Sequence, residues 1–319
     1  MARRALVTGA SGFVGSGLAR RLLADGHEVT LITRPGSRTW RVDPLSDDAL
    51  VLNVDLRDPA AVLRAVTEAR AEWVFHAAAH GGYSWQRDMH GMVDSNVGGT
   101  ANLLEACTAA GFEALVHAGS SSEYGAKDHA PAEDEMLDPN SEYAVTKAAC
   151  THLCRYVARR DGAQVVTLRL YSVYGPREDP RRLIPTLIRS GLGGTLPRLA
   201  DPDTARDFVY LDDALDAFLL AAERPVEEPG AIFNVGSGRQ TTLREVVDVA
   251  RRVMGIEAEP RWGSMEARSW DTGVWVADSR KIRRELGWEP RVGLEEGFRR
   301  TLEWLRGDPA LLSVYAAGD

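Results

Sequence analysis

A chain of 319 residues, 44% apolar and 26% charged, has the balance of an ordinary globular protein and the length for a large core in one or two domains. A net charge of −8 with no basic tract argues against nucleic acid and anionic membrane surfaces as partners. Three cysteines (an odd number), no visible signal peptide and no apolar run long enough to span a bilayer point to a reducing cytoplasm. Cys150 and Cys154 could share a helix face, but no histidine pattern lies nearby. They therefore predict core packing, and no metal is expected.

The apolar run Ala5-Leu6-Val7 predicts a strand, which breaks into glycines at Gly9, Gly12 and Gly15. A helical pattern follows over Phe13–Leu23. Between a strand and a helix, Gly9 permits a tight turn, Gly12 lets a phosphate approach the backbone, and Gly15 lets the helix lie against the strand. The free N–H groups and positive end of that helix make an anion site. Glycines so placed point to a nucleotide, a ligand-free turn being the plain alternative. Asp25-Gly26-His27 ends the helix, Glu28–Thr33 predicts a second strand, and the loop 34–41 follows. Residues 49–55 predict a third strand, and Asp58-Pro59 starts a helix running to about Ala69. Trp73–Ala78 predicts a short buried strand, Asp94–Ala110 a helix, and Ala114–Ala118 a strand leading into Ser120-Ser121-Ser122-Glu123-Tyr124. Residues 141–160 predict a helix and Val165–Arg169 a strand.

Strands alternating with helices imply an α/β protein with a doubly wound, Rossmann-like parallel sheet. Its ligand crevice lies at the carboxyl ends of the strands. From about Gly175 the rhythm changes, with arginine, proline and glycine crowding residues 175–202. The expected division is a dinucleotide-binding domain over 1–174 and a smaller, mainly substrate-binding lobe over 175–319. Residues 205–236 could return to the first domain.

Tyr143 and Lys147, four apart on the helix, share one face one turn apart. A lysine beside a tyrosine favours the phenolate, and such a tyrosine can exchange a proton with a sugar or alcohol oxygen near neutral pH. A surface pair on an amphipathic helix is the plain alternative. The pair's position after the glycine turn and the serine cluster favours catalysis.

In this order the motifs resemble the extended short-chain dehydrogenases/reductases, the NAD(P)-dependent epimerase/dehydratase family acting on nucleotide sugars. The resemblance runs from residue 5 to about residue 305. Thr8–Gly15 is similar to the family's cofactor turn, Asp55-Leu56 to the pair beside the adenine, and His76-Ala77-Ala78-Ala79 to the lining of the cofactor cleft. Asn96–Thr100 is similar to the helix segment behind the active site, and Tyr143 and Lys147 to the catalytic pair. Tyr174-Gly175-Pro176, Arg206–Tyr210, Asn234–Gly238 and Leu286-Gly287-Trp288 are similar to later marks of the family.

The resemblance implies a cofactor site of Gly9, Ser11, Gly12, Phe13, Val14, Gly15, Thr33, Arg34, Asp55, Leu56, Ala77, Ala78, Ala79 and Asn96, with Tyr143 and Lys147 shared with the chemistry. It puts the catalytic serine at Ser120, with Ser121 open if the turn is one residue shorter. That hydroxyl would bond the reacting sugar oxygen with Tyr143, while Lys147 would also hold the nicotinamide ribose. Ser120, Ser172, Arg206, Arg268 and Asp271 are implied for the nucleotide-diphosphate sugar, arginine suiting the phosphates. Trp270 and Trp275 could stack on a base or sugar, core packing being the alternative. A homodimer paired through helices like 94–110 and 143–160 is implied as well.

Two departures bear on the reaction. NAD sites usually place an acid at the end of the second strand for the ribose 2′-hydroxyl. Here Thr33 is followed by Arg34, with Arg38 near, which favours NADP(H), NAD(H) being the other possibility. The family often has an asparagine where Ser172 stands. Arg34, and the likeness of Gly119–Gly125 to reductases of GDP-keto sugars, lean towards a 4-ketoreductase of 4-keto-6-deoxyhexose nucleotides. A 4-epimerase with retained NAD is the alternative. A 4,6-dehydratase ranks third, because Ser122 fills the place of its carboxylate and Glu123 is one residue late. An NADP(H)-sensing regulator is the non-enzyme alternative, against which Ser120, Tyr143 and Lys147 together speak.

Overall fold

The structure, a computed structural model, describes residues 2–83, 86–265 and 273–316. The chain begins β1 (Arg4–Thr8), α1 (Phe13–Ala24), β2 (Glu28–Thr33), β3 (Leu50–Asn53), α2 (Pro59–Ala69) and β4 (Trp73–His76). It continues α3 (Met89–Met92), a π-helical stretch (Val93–Gly98), α4 (Gly99–Ala110), β5 (Ala114–Ser120), α5 (Glu142–Asp161), β6 (Val165–Leu170) and β7 (Ser172–Tyr174). Then come α6 (Leu183–Leu192), β8 (Ala205–Arg206), β9 (Phe208–Tyr210), α7 (Leu211–Glu223), β10 (Ile232–Val235), β11 (Thr241–Thr242) and α8 (Leu243–Met254). The last described elements are α9 (Arg280–Leu286), α10 (Leu294–Arg306) and α11 (Pro309–Ala316).

Seven strands form one parallel sheet in the order β10-β6-β5-β4-β1-β2-β3. Its central strands are apolar on both faces because helices cover both. Alternation sends Val7, Phe75 and Val116 to the layer of α1 and α7, where they meet Leu18 and Phe218. Leu6, Val74 and Leu115 point the other way, onto Val62, Leu103 and Val157 of α2, α4 and α5. A third core joins Ile184, Val246, Phe298 and Leu302 of α6, α8 and α10 to Tyr174 and Tyr210. Residues 205–236 supply α7, packed against α1, and the edge strand β10 beside β6.

Local signals account for most boundaries. Asp58 caps α2 by accepting from the Ala61 N–H, with Pro59 in the first turn. Ser141 caps α5 by accepting from the Ala144 N–H, and left-handed Gly162 closes it. The helix expected over Asp94–Ala110 differs: α3 precedes it, and Val93–Gly98 is wound wider than an α-helix. There the Asn96 carbonyl accepts a hydrogen bond from the Cys150 thiol, which ties the widened stretch to α5. β3 is shorter than expected and β4 stops at His76, whereas β5 runs two residues further and ends on Ser120.

Candidate active site

Strand order reverses between β1 and β4, so a crevice opens there at the carboxyl ends. The glycine turn forms its floor. Gly9 has φ +68°, and a Cβ on it would come within 2.6 Å of the Ala78 nitrogen. A Cβ on Gly15 would collide with the Gly9 carbonyl. Gly12 occupies the N-cap of α1 without a side-chain cap, so the helix start leaves the amides of Phe13, Val14 and Gly15 facing an anion position. The Ser11 carbonyl accepts from Arg41 Nη1 at 3.3 Å. Backbone this close, stripped of side chains, fits the pyrophosphate of a dinucleotide.

Thr33 ends β2 buried, its hydroxyl donating to Asn53 Oδ1 at 2.8 Å, while Arg34 is exposed in the following loop. Asp55 accepts from the backbone N–H, Nε and Nη2 of Arg57. That hydrogen bonding holds its carboxyl below the usual carboxylate range, with a smaller pull from Arg34. Leu56 packs against Gly99, and its carbonyl accepts from Asn102. These residues line one end of the crevice.

At the other end Ala77, Ala78 and Ala79 follow β4. The Ala77 N–H donates to the Thr8 carbonyl and the Ala78 N–H to the Thr8 hydroxyl. Asn96 is buried, and its carboxamide is fully used: it accepts from the His80 N–H and donates to the His80 carbonyl and the Thr146 hydroxyl. It thus braces the chain after β4 against α5.

Tyr143 is half-buried on α5, while Lys147, one turn on, is 2% exposed. Lys147 Nζ lies 3.3 Å from His117 Nε2. Ser120 caps the short turn Ser121–Tyr124: its hydroxyl accepts from the Ser122 N–H and shares a 2.7 Å bond with the Ser122 hydroxyl. Ser121 is buried. Glu123 Oε1 accepts from the Ser120 N–H, and Oε2 pairs with Arg169.

Below the cleft, Thr8, His76, His117 and Thr167 stand in register on β1, β4, β5 and β6. Thr8 Oγ1 is 2.7 Å from His76 Nδ1, and His76 Nε2 is 2.9 Å from Thr100 Oγ1. Thr100 donates on to the Cys150 sulfur. With that hydroxyl proton spent, His76 carries its proton on Nε2 and accepts from Thr8 on Nδ1. Burial, then the charge of Lys147, pushes the His76 pKa down to about 3. Burial, then the charge of Lys147 and a smaller push from His76, hold His117 well below the ordinary imidazole range. A polar residue directly after an apolar run, as Thr8 after Ala5-Leu6-Val7, His76 after Trp73-Val74-Phe75 and His117 after Ala114-Leu115-Val116, is the sequence signal that marks this row.

On the opposite wall Ser172 is half-buried on β7, its N–H donating to the Asp207 carbonyl. Arg206 places its guanidinium 5.3 Å from the Trp275 ring. The neighbouring Asp207 is fully buried and accepts from the N–H groups of Ser237, Gly238 and Ala277. Arg268, Asp271 and Trp270 lie outside the described residues. Sequence reasoning passed over Arg41, whose Nε donates to the Arg177 carbonyl at 2.8 Å and so ties the glycine turn to the opposite wall. All three cysteines are buried and free. Among the described residues no helix is long and apolar enough to cross a membrane.

Residues 5–236 match the sequence profile of the NAD dependent epimerase/dehydratase family. The UDP-glucose 4-epimerase of Mycolicibacterium smegmatis is 33% identical over 95% of this chain and 98% of its own length. The dTDP-glucose 4,6-dehydratase of Streptomyces griseus is 30% identical over 95% of this chain and 94% of its own. The structure of Thermus thermophilus UDP-glucose 4-epimerase in complex with NAD has a TM-score of 0.85 at 33% identity, covering 95% of this chain and 99% of that one.

Proposed function

This chain belongs to the NAD dependent epimerase/dehydratase family of nucleotide-sugar enzymes, and we propose that it is a nucleotide-diphosphate-sugar 4-epimerase. One observation carries this reading. Tyr143 and Lys147 share a face of α5 beside the crevice, while Glu123, the carboxylate of the serine turn, is locked in a buried ion pair. Such a site supports proton and hydride exchange at a single sugar carbon. It gives no support to dehydration through Glu123. The 33% identity with proteins named UDP-glucose 4-epimerase favours epimerisation over the 4-ketoreduction towards which the sequence leans.

In this reading Tyr143 takes the proton of the C4 hydroxyl and later returns it, and Ser120 bonds the same oxygen, with Ser121 as its alternate. Lys147 supplies positive charge beside the phenol and donors for ribose hydroxyls. The amides after Gly12 hold the pyrophosphate, and Ala77–Ala79 and the Thr33–Leu56 end flank the rest of the dinucleotide. Bound NAD(P) supplies hydride acceptance and return at C4. Ser172 and Arg206 hold the sugar nucleotide, and Arg268 and Asp271 remain assigned to it by resemblance. The substrate-binding part is residues 175–319 apart from the stretch 205–236, and two copies pair through α4 and α5 in the cytoplasm.

The second reading is the NADPH-dependent 4-ketoreductase, which rests on Arg34 and on the hydroxyl of Thr33 where an acid would select NAD. The deciding experiment denatures the purified protein, identifies any dinucleotide released, and incubates native protein with UDP-hexoses. Retained NAD and formation of the C4 isomer without added cofactor support the epimerase. An empty site that prefers NADPH and consumes a 4-keto-6-deoxy sugar nucleotide overturns it for the reductase. Tyr143→Phe is expected to lower turnover about 100-fold or more while sparing dinucleotide binding. Unchanged turnover would remove Tyr143 from the chemistry.

A further inference from the structure

We infer that His117 is a positioning residue for Lys147, its imidazole Nε2 being, among the described residues, the acceptor that fixes the lysine amine beneath the crevice. The inference rests on the role proposed above for Tyr143 and Lys147.

Lys147 is almost wholly buried, and among the described residues its amine has no carboxylate partner. A protonated amine has donors only, so His117 Nε2 must be the acceptor and the ring proton must occupy Nδ1. His117 Nδ1 is buried with no hydrogen-bond partner. A buried N–H without an acceptor costs stability and calls for a reason. Packing is not that reason: neighbouring Leu115 and Val116 fill the same strand with apolar groups, and an apolar ring would leave nothing unpaired. Nor is a histidine impossible to satisfy here, because His76, its register partner on β4, uses both ring nitrogens. What His117 adds is a lone pair facing Lys147. Burial and the lysine charge keep the ring unprotonated, so the lone pair persists through neutral pH. With one N–H committed to His117, Lys147 has two others to present to the crevice, on a side chain that can no longer swing.

Two measurements test this on the full chain. In cofactor-free protein carrying ¹⁵N-histidine, the His117 ring should be protonated on Nδ1 and bare on Nε2, and Lys147→Met should shift its Nε2 resonance. In steady-state assays, His117→Phe keeps the bulk without the acceptor. It should lower kcat about 10- to 100-fold with KM for the sugar nucleotide unchanged. His117→Gln, whose amide oxygen can reach the Nε2 position, should restore most of that loss. An Nε2 resonance indifferent to Lys147→Met overturns the inference, as does wild-type kcat in folded His117→Phe or equal loss in the Gln and Phe variants. If His117→Phe does not fold, the resonance and His117→Gln decide. Full turnover in Tyr143→Phe would instead sink the site reading itself, whatever the resonance shows.

Discussion

Glu123 and Arg169 form an ion pair of 2.9 Å with side chains 0% and 2% exposed. Thr151 donates to the same carboxylate oxygen, while Arg169 also donates to the Tyr124 hydroxyl and the Glu133 carbonyl. Because the other carboxylate oxygen takes the Ser120 N–H, the pair bolts the serine turn to β6. Removing one partner strands the other charge in the interior. Glu123→Ala is therefore expected to cost about 3–5 kcal/mol of stability, read as a lowered denaturation midpoint. Glu123→Gln, which still accepts from Ser120, should cost less. A Glu123→Ala protein with unaltered stability would contradict the bolted turn.

The glycine turn makes a second prediction. Gly15 faces the Gly9 carbonyl with no room for a methyl, and both ends of that contact are backbone. Gly15→Ala must push α1 off the turn and move the amides that address the pyrophosphate. Dinucleotide affinity should fall at least about tenfold, a loss of ~1.4 kcal/mol, measured by titration of cofactor-free protein. Wild-type affinity in that variant would mean that the turn does not carry the ligand.

How far these features could be read in advance depends on whether their cause is local. The strand–glycine–helix unit, the Asp58 and Ser141 caps, and the Tyr143/Lys147 face are written in residues close together in the chain. Glu123 shows the limit. Its sequence position one residue late argues against a dehydratase, yet only the approach of β6 reveals that Arg169 claims it. The hydrogen bond to the π-helical stretch likewise comes from Cys150, 54 residues beyond Asn96. His117 reads as one more strand residue until three strands align Thr8, His76 and His117 at the same depth beneath α5. Such contacts are made by topology, which no short window of sequence contains.

Glu178 predicts a pH dependence. Burial, reinforced by Asp179 and opposed by Arg182 and Arg41, pushes its carboxyl up to about 8. Its Oε2 has no partner. An unfolded glutamate titrates near ~4.3, so between that value and about 8 the folded protein binds more protons than the unfolded one. This contribution to stability is fully present below the unfolded pKa and is lost as pH rises through the folded pKa. Glu178→Gln, which cannot ionise, should therefore gain on wild type as pH rises from 5 to 8, by about a few kcal/mol at most. Thermal melts of both proteins across that range check the sign. A gap that does not widen with pH would show that Glu178 is not held protonated.

Arg34 bears on the choice of cofactor. Its guanidinium is exposed at the end of β2, where Thr33 spends its hydroxyl on Asn53 and offers no carboxylate to a ribose. An exposed arginine at that point attracts a 2′-phosphate and has little to give a 2′-hydroxyl. Exposure limits the effect to roughly 1 kcal/mol, because water and salt screen the pair. Arg34→Ala is accordingly expected to weaken NADP(H) binding about fivefold and to leave NAD(H) binding unchanged, with the difference shrinking in high salt. Equal affinities for NADPH in the wild type and the variant would mean that Arg34 only opens a solvated loop. The retained NAD that the proposed epimerase needs would then face no opposition from this end of the crevice.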